Sequence, residues 1–239
     1  MAKAATEDRR AGGPVSSSSR LVDLSHTLVD GMTTYPGLPG PIICDYLTRE
    51  ASQSRYAPGV EFQIGKIEMV GNTGTYLDSP FHRYRNGKDL SQVPLHSLAN
   101  LDAVVVRVPP GSQRAISADL FGASDLRGKA ILVHTGWDEF WGTERYLSGN
   151  PFLTAEAAVF LMEAGVALVG IDSLNIDDIE DLTRPVHSTL LGAEIPIVEH
   201  LCNLGDLPAG PVRFFAVPPK VAGFGTWPVR AFGHVVPSD

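Results

Sequence analysis

The chain has 239 residues, of which 44% are hydrophobic and 19% are charged, a composition typical of a globular protein with a substantial core. Its 19 lysines and arginines against 27 aspartates and glutamates give a formal net charge of −8, and no basic stripe is present, which argues against a nucleic-acid partner. Two widely spaced cysteines, and no apolar run of the ~20 residues that span a bilayer, predict a cytoplasmic protein without disulfides or a membrane anchor.

The N-terminal segment, residues 1–20, is dominated by small and polar residues and has no apolar signal-peptide core. We therefore predict a flexible arm over 1–20 and one domain over 21–239. "LVDLSHTL" predicts a first strand, and the Gly- and Pro-rich "DGMTTYPGLPGP" after it predicts a long loop.

The segment "IGKIEMV" alternates in polarity, with Gly65, Ile67 and Met69 on one side. This period predicts a half-buried strand. Polar residues follow it directly, which places them at a strand end or in the loop beyond, where functional groups are often mounted.

The rest of the chain alternates between strand and helix patterns. "TAEAAVFLMEAG" predicts a helix with Thr154 as the N-cap and Gly165 at the C-terminal end. Short β-branched or apolar runs predict strands: "AVVVRV", "AILVHTG", "VALVGID", "IPIV", "VRFFAV" and "PVRAFGHVV". A strand on each side of the helix indicates parallel pairing and an α/β fold.

Two segments carry the residues suited to chemistry. In "NTGTYLDSPFHRY", Asp78 and His82 are separated by Pro80, so they must converge through a turn rather than along one helix. Further along, His187 and Glu199 flank an apolar stretch that we predict to contain a strand. Carboxylates with imidazoles suit Zn²⁺ or Mn²⁺, and a hydrogen-bonded cluster without metal is the alternative.

The same segments carry a family resemblance. The chain resembles the cyclase family that includes bacterial kynurenine formamidase and isatin hydrolase, whose motif is H-x-G-T-H-x-D-x-P-x-H. The motif stands here as Asn72, Gly74, Thr75, Tyr76, Asp78, Pro80 and His82. "DLSHTLVDGMTTYPG", "HTGWDEFWGTERY", "GIDSLNID" and "HSTLLGAEIPIVE" follow the family in order, so the resemblance runs from about Leu21 to Val235. It implies a single domain with a swivelling β/β/α fold.

The resemblance implies roles for the site residues. Asp78, His187 and Glu199 match three of the family's metal ligands, and His82 matches its proton-handling histidine. Asn72 and Tyr76 stand where the family has its first two metal histidines, and neither an amide nor a protonated phenol is a good ligand. The remaining three ligands predict one divalent ion, zinc or manganese, or none if the loss of two ligands removes it.

Other polar and aromatic residues carry weaker expectations. The Tyr76 hydroxyl and the Asn72 amide could donate to a developing oxyanion. Trp137, Trp141 and Phe81 are candidates to bind an aromatic substrate, although large aromatics more often fill cores. His26 and His134 are expected to be structural. Asp172 and Asp177 could orient a site histidine or cap the following turn.

Three functions remain open on these grounds. The first is a hydrolase of a cyclic or acyl amide or ester, resembling an arylformamidase, with His82 as proton carrier. The second is a metal-free acid–base cyclase or dehydratase acting on a polyketide-like intermediate, and the third is a binding protein on the same fold. A small-molecule partner and a homo-oligomer, most simply a dimer with the "GMTTYPG" loop closing a neighbouring site, are also expected.

Overall fold

The computed structural model of the protein describes residues 20–122 and 125–236. The predicted flexible arm lies outside the described residues, except for Arg20, which begins the first strand. Among the described residues, the strands are β1 (Arg20–Asp23), β2 (Ile42–Leu47), β3 (Ile64–Glu68), β4 (Tyr76–Asp78), β5 (Leu101–Arg107), β6 (Ala115–Ile116), β7 (Ala130–His134), β8 (Phe152–Leu153), β9 (Leu168–Ile171), β10 (Ile197–Glu199), β11 (Val212–Phe215), β12 (Thr226–Pro228) and β13 (Phe232–Val235). The α-helices are α1 (Arg49–Ser52), α2 (Pro80–Arg83), α3 (Ala155–Ala164) and α4 (Pro185–Gly192). None of these helices is long and apolar enough to cross a membrane.

Nine of the described strands form one mixed sheet, in the order β1-β13-β11-β5-β7-β9-β10-β4-β12. The four central strands, β5, β7, β9 and β10, are parallel to one another. Antiparallel strands extend the sheet on both sides. The predicted α/β fold, with parallel strands around the "TAEAAVFLMEAG" helix, is confirmed.

Strands β7 and β9 are buried at nearly every position, on both faces of the sheet, which explains their continuous apolar sequences. In β7, Ile131 and Val133 contribute to the core under the helices, while Ala130 and Leu132 contribute to a second core on the opposite face. Successive side chains of a strand point to opposite faces, so only a strand covered on both sides can be apolar at every position.

Helix α3 has the boundaries that its sequence predicts. The Thr154 hydroxyl accepts a hydrogen bond from the Ala157 backbone N–H at 3.2 Å. Gly165 ends the helix in the left-handed region at φ 71°, a conformation that glycine adopts without steric cost. Leu161 is fully buried on the sheet side, while Met162 is partly buried.

The hairpin formed by β2 and β3 differs from its prediction. Every residue of β3 is exposed, including Ile64 and Ile67 at 46% and 53%. The alternation in "IGKIEMV" is therefore not the mark of a half-buried strand, because this two-stranded sheet pairs only with itself among the described strands. Its apolar side chains face solvent in the single chain.

Candidate active site

The pairing of β4 with β10 brings the two chemical segments together. Tyr76 lies directly opposite Glu199, and Asp78 lies opposite Ile197. Residues two apart on a strand, and residues directly opposite on neighbouring strands, share one face of a sheet. Tyr76, Asp78 and Glu199 are therefore placed on the same face, and all three are buried.

His82 reaches this face from the short helix after β4. Pro80 is at the start of α2, so the chain turns between Asp78 and His82 as the sequence predicts. The His82 Nδ1 lies 3.6 Å from the Asp78 Oδ1. Its side chain is 35% exposed, so the imidazole lies between the buried carboxylate and solvent.

A threonine that sequence reasoning missed connects these two residues. The Thr226 hydroxyl on β12 donates to the Asp78 Oδ1 and lies 2.8 Å from the His82 Nδ1. A hydroxyl has one proton, and the Thr226 hydroxyl donates it to the Asp78 carboxylate. The Thr226 oxygen therefore acts as an acceptor toward His82, and the hydrogen bond between them uses the His82 Nδ1–H. Neutral His82 then carries its proton on Nδ1, which leaves Nε2 with a free lone pair.

Asp78 is held in its charged form. Burial alone raises the pKa of its carboxyl, but the opposing charges of His82 and His187, together with the hydrogen bond from Thr226, lower the pKa below its ordinary value. Its second oxygen, Oδ2, is buried and has no hydrogen-bond partner among the described residues. A buried carboxylate oxygen left in this way is an available ligand atom.

His187, at the N-terminal end of α4, is oriented by Asp177. The Asp177 Oδ2 lies 2.6 Å from the His187 Nδ1, and its carboxylate also accepts from the backbone N–H groups of Val186 and His187. Asp177 thus serves both roles that its sequence position suggested. The opposite nitrogen, Nε2, lies 3.6 Å from the Asp78 Oδ2 and 3.8 Å from the Glu199 Oε1.

The stretch between His187 and Glu199 is mainly helical. The sequence predicts a strand inside it, and the structure has most of α4 followed by β10.

Desolvation lowers the pKa of His187, but the charge of Glu199 and the bond to Asp177 outweigh it and raise the pKa to about 10. In the absence of an ion, this histidine is therefore an imidazolium surrounded by carboxylates.

Glu199 receives two hydrogen bonds. Its Oε2 accepts from the Tyr76 hydroxyl and its Oε1 from the Ile176 backbone N–H, both at 2.6 Å. Burial raises the pKa of Glu199 to about 7, although the charge of His187 and these hydrogen bonds act in the opposite direction. The group is thus close to the boundary between its charged and neutral forms.

Tyr76 is held by this bond rather than left free. Burial and the neighbouring Glu199 charge raise the pKa of its phenol well above 10, so the group is protonated. Its single hydroxyl proton is donated to Glu199. The predicted role as a donor to an oxyanion therefore competes with a hydrogen bond that is already made, whereas the Asn72 amide lines the adjacent cavity.

Two of the distances among the proposed ligand atoms suit a divalent ion. A tetrahedral ion with bonds of about 2.0–2.1 Å separates its ligand atoms by about 3.4 Å, close to the two distances measured from the His187 Nε2. The unpartnered Asp78 Oδ2 and the fixed orientation of His187 are also what a metal site needs. Among the described residues, two groups have ligand atoms that all lie within 4.8 Å of one another: Asp78, His82 and His187, and separately His134, Asp138 and Asp172; Glu199 belongs to neither group.

A cavity of about 410 Å³ opens onto these residues. Its lining consists of Tyr35, Pro36, Gly37, Leu38, Asn72, Tyr76, His82, Arg83, Asn175, Arg184, His187 and Glu199. The loop predicted from the Gly- and Pro-rich segment thus contributes to the cavity of its own chain. Sequence reasoning singled out five of these residues and missed both arginines, because neither occupies a motif position.

The aromatic residues predicted to bind substrate do not line this cavity. The Trp141 ring stacks on His26 with 3.8 Å between ring centroids, and the Trp137 Nε1 donates to the Tyr146 carbonyl oxygen. Phe81 is half-buried beside the motif and outside the lining. The His26 Nε2 is buried without a partner among the described residues, so this histidine is not satisfied in the way its sequence position suggested.

Comparisons with known proteins identify relatives of the chain. The sequence model of the Cyclase family ("Putative cyclase") matches residues 22–178. The chain is 28% identical to a kynurenine formamidase of Bacillus cytotoxicus over 218 residues, covering 90% of this chain and 97% of that one. It is also 28% identical over 205 residues to a kynurenine formamidase of Erythrobacter litoralis, covering 86% and 89%.

Solved structures share the fold. Isatin hydrolase A from Ralstonia solanacearum superposes with a TM-score of 0.78 at 23% identity, covering 91% of this chain and 92% of that one. A structure described as a potential metal-dependent hydrolase with cyclase activity gives 0.72 at 24% identity, covering 90% and 98%.

The fold, the carboxylate–imidazole site and these relatives define an enzyme of the hydrolase class. The chain belongs to the Cyclase family, whose model covers more than half of it. His187, Glu199 and Thr226 lie beyond the matched residues, and the structure brings them to the motif through β10, α4 and β12.

Proposed function

We propose that the protein hydrolyses an amide or ester bond in a small cyclic or acyl substrate, as an arylformamidase does. The observation that carries the proposal is the position of His82, which lines the cavity while its Nδ1 lies 2.8 Å from the Thr226 hydroxyl oxygen, so that Nε2 is the nitrogen available as an acceptor. The kynurenine formamidase relatives support an amide bond as the target.

Asp78, His187 and Glu199 are the proposed ligands of one divalent ion, zinc or manganese. When bound, such an ion lowers the pKa of water and polarises a carbonyl group. The chain itself supplies the orientation, because Asp177 fixes the ring of His187 and Tyr76 fixes the carboxylate of Glu199. Tyr76 acts in this scheme as a positioning residue for a ligand.

His82 is the proposed proton carrier. Its free Nε2 takes the proton of the attacking water, and the resulting imidazolium is stabilised by the Asp78 carboxylate through Thr226. The same nitrogen then returns the proton to the departing nitrogen or oxygen. The Asn72 amide, which has N–H groups to offer at the cavity, is the proposed donor to the developing oxyanion.

Elemental analysis together with an activity panel tests the proposal. Protein purified without chelator is expected to hold about one divalent ion per chain and to cleave aryl formamides or lactones. The variant Asn72→His/Tyr76→His, which supplies two imidazoles beside Asp78, is expected to move the metal content toward two. Two ions in the wild type would show that Asn72 or Tyr76 coordinates after all.

A metal-free acid–base cyclase or dehydratase is the second candidate. The specific observation in its favour is that Tyr76–Glu199 and Asp177–His187 hydrogen bonds satisfy much of the cluster without an ion. Absence of bound metal in protein offered Zn²⁺ and Mn²⁺, with activity on an enolisable polyketide-like substrate, would favour it. No reaction with lactones, aryl amides or such a substrate would favour a binding protein.

We also propose a homodimer formed through the β2–β3 hairpin. The exposed apolar side chains of this hairpin and the loop within it, among them Ile42, Tyr46, Phe62 and Ile67, would be covered by a second copy. Light scattering at micromolar concentration tests this, with Ile67→Lys expected to shift the protein toward the monomer. A monomeric wild type would refute it.

The location that we propose is the cytoplasm. Cys44 is exposed and Cys202 is buried, and both are free thiols, which suits a reducing compartment. Fractionation of the native cells tests the proposal.

A further inference from the structure

Two arginines line the cavity beside the proposed catalytic histidine. Arg83 follows His82 directly in α2, and Arg184 precedes the first residue of α4. The Arg83 Nε donates to the Ser188 hydroxyl at 3.1 Å, and Ser188 lies one helical turn after Arg184. One contact of Arg83 and the backbone of Arg184 thus lie at the N-terminal half of α4, and both residues line the cavity.

Much of the hydrogen-bonding capacity of these two side chains is unused within the described part of the chain. A guanidinium has five N–H donors. Arg83 uses its Nε, while Arg184 donates from Nη1 to the Asp178 carbonyl oxygen at 2.8 Å and from Nη2 to the Tyr35 hydroxyl at 3.4 Å. Neither arginine forms an ion pair with a carboxylate of the described residues.

Both residues line the cavity together with His82, in a protein with a net charge of −8. Carboxylates are abundant, and yet two cations at one cavity have no carboxylate partner among the residues that the structure describes. Other described arginines, such as Arg85 and Arg107, also lack an ion pair with a described carboxylate, so what distinguishes Arg83 and Arg184 is their place in the cavity lining. Unpaired guanidinium groups facing a cavity are what a planar anion requires of its site.

We propose that Arg83 and Arg184 bind a carboxylate on the substrate, so that the enzyme acts on anionic amides or esters. This rests on the proposed hydrolase function and specifies its substrate class. The carboxylate docks at the guanidinium groups while the scissile carbonyl faces His82 and Asn72. The reaction is hydrolysis: water adds to the carbonyl carbon, the C–N or C–O bond breaks, and the leaving atom receives the proton.

The test compares substrates that differ only in charge. 3- and 4-Formamidobenzoate carry a carboxylate, and 3- and 4-formamidobenzamide have nearly the same shape without the charge. Wild-type protein is expected to bind or cleave the better carboxylate at least about 10-fold better than its amide, the gain expected from a charged hydrogen bond. Isothermal titration calorimetry gives the affinity and steady-state kinetics gives KM and kcat.

The arginine variants locate the effect. Arg184→Gln is expected to raise KM or Kd for the carboxylate about 10-fold, and the more exposed Arg83→Gln about 3-fold, with kcat and the amide substrate little changed. Arg184→Lys, which keeps the charge, should recover part of the affinity. Arg85→Gln is the matched control, since Arg85 is an exposed neighbour that does not line the cavity.

The outcomes separate this inference from the proposed hydrolase. Tight carboxylate binding that depends on the arginines, without hydrolysis, supports the anion site and refutes the hydrolase on these substrates. Hydrolysis of acid and amide with equal efficiency, or equal or no binding of the two, overturns the anion site. A preference that survives both glutamine variants but disappears after chelation would also overturn it, because the carboxylate would then be binding the metal. Thermal unfolding of Arg83→Gln, which loses the bond to Ser188 and the contact with the Tyr84 ring, tests whether a loss of binding is a loss of folding.

Discussion

Replacing Tyr76 with phenylalanine should destabilise the protein through Glu199. The phenol donates to the Glu199 Oε2 at 2.6 Å, both side chains are buried, and the other donor to that carboxylate among the described residues is the Ile176 N–H. The change keeps the ring and removes one donor to a group that is costly to leave unpaired. Glu199 has a pKa of about 7 and is charged above that pH. A hydrogen bond to a charged group contributes about 1.5–3 kcal/mol, so the free energy of unfolding measured at about pH 8.5 should fall by that amount.

This loss is large enough to measure by thermal unfolding. For a domain of this size, about 1.5–3 kcal/mol corresponds to a fall in Tm of about 3–12 °C. The measurement is made on chelator-treated protein, so that a bound ion does not mask the effect. A double-mutant cycle with Glu199→Gln then isolates the interaction between the two side chains.

Tyr146→Phe is the matched control. Tyr146 is as buried as Tyr76, but its hydroxyl bonds the His200 Nδ1 at 2.8 Å, and burial lowers the pKa of His200 to about 3, so this partner is neutral. The expected cost is about 0.5–1.5 kcal/mol. If Tyr76→Phe is no more costly than Tyr146→Phe, and the cycle shows no coupling with Glu199, the assigned hydrogen bond is wrong.

The same variant distinguishes two roles of Tyr76 in activity. If Tyr76 positions Glu199, replacing Tyr76 should weaken metal affinity, so that activity returns when more metal is supplied. A donor to an oxyanion should instead lower kcat about 10²-fold at any metal concentration. A turnover loss that added Zn²⁺ or Mn²⁺ cannot recover would restore the oxyanion role that the sequence suggested.

Three further predictions concern the ion, the threonine relay and a buried carboxyl. Chelation should abolish hydrolysis and lower Tm, since an ion at about a hundred times its Kd stabilises the fold by about 2.7 kcal/mol, and an unchanged Tm would argue against a resident ion. Thr226→Val should lower kcat about 10–100-fold and alter the pH–rate profile, because the proton-carrying histidine loses the partner that sets its tautomer; an unaltered profile would contradict the relay. Burial raises the pKa of Asp172 to about 7 from 3.8. Through this group the folded state therefore loses stability as the pH rises from about 4 to about 7, and it loses no further stability above that pH. The stability of the wild type relative to Asp172→Asn, measured by denaturant unfolding, should therefore fall over that window and stay constant above it.

The sequence predicted the elements whose signals are local. Thr154 and Gly165 bound α3 correctly because capping depends on neighbouring backbone groups, and the apolar run of β7 reflects burial on both faces. The alternation in β3 gave a wrong prediction of burial. A repeat of two residues shows which way the side chains point, and it does not show whether another layer covers the strand.

For the site, the motif predicted most of the residues but not their contacts. Asp78 and His82 were recognisable, whereas Thr226 carries no signal until β12 pairs with β4. Likewise, the hydrogen bond from the Tyr76 hydroxyl to Glu199 depends on the register between β4 and β10, which no local sequence pattern specifies.

The two arginines at the cavity carry no local signal either. Arg83 is one of several basic residues that follow the motif, and nothing in the sequence separates it from the exposed Arg85. Arg184 gains its meaning only from the packing of α4 near the loop that contains Tyr35. Both residues become site candidates only when the fold shows which surface they share.

The antiparallel pairing of β4 with β10 and β12 has a consequence for how the protein is made. The contacts that build the site span 123 residues from Tyr76 to Glu199 and 148 from Asp78 to Thr226. On the ribosome, the motif emerges long before its partners, and contacts of such sequence separation form late and slowly in folding. Recovery of activity during refolding should therefore lag behind recovery of helical signal, and activity would serve as a reporter of the completed sheet.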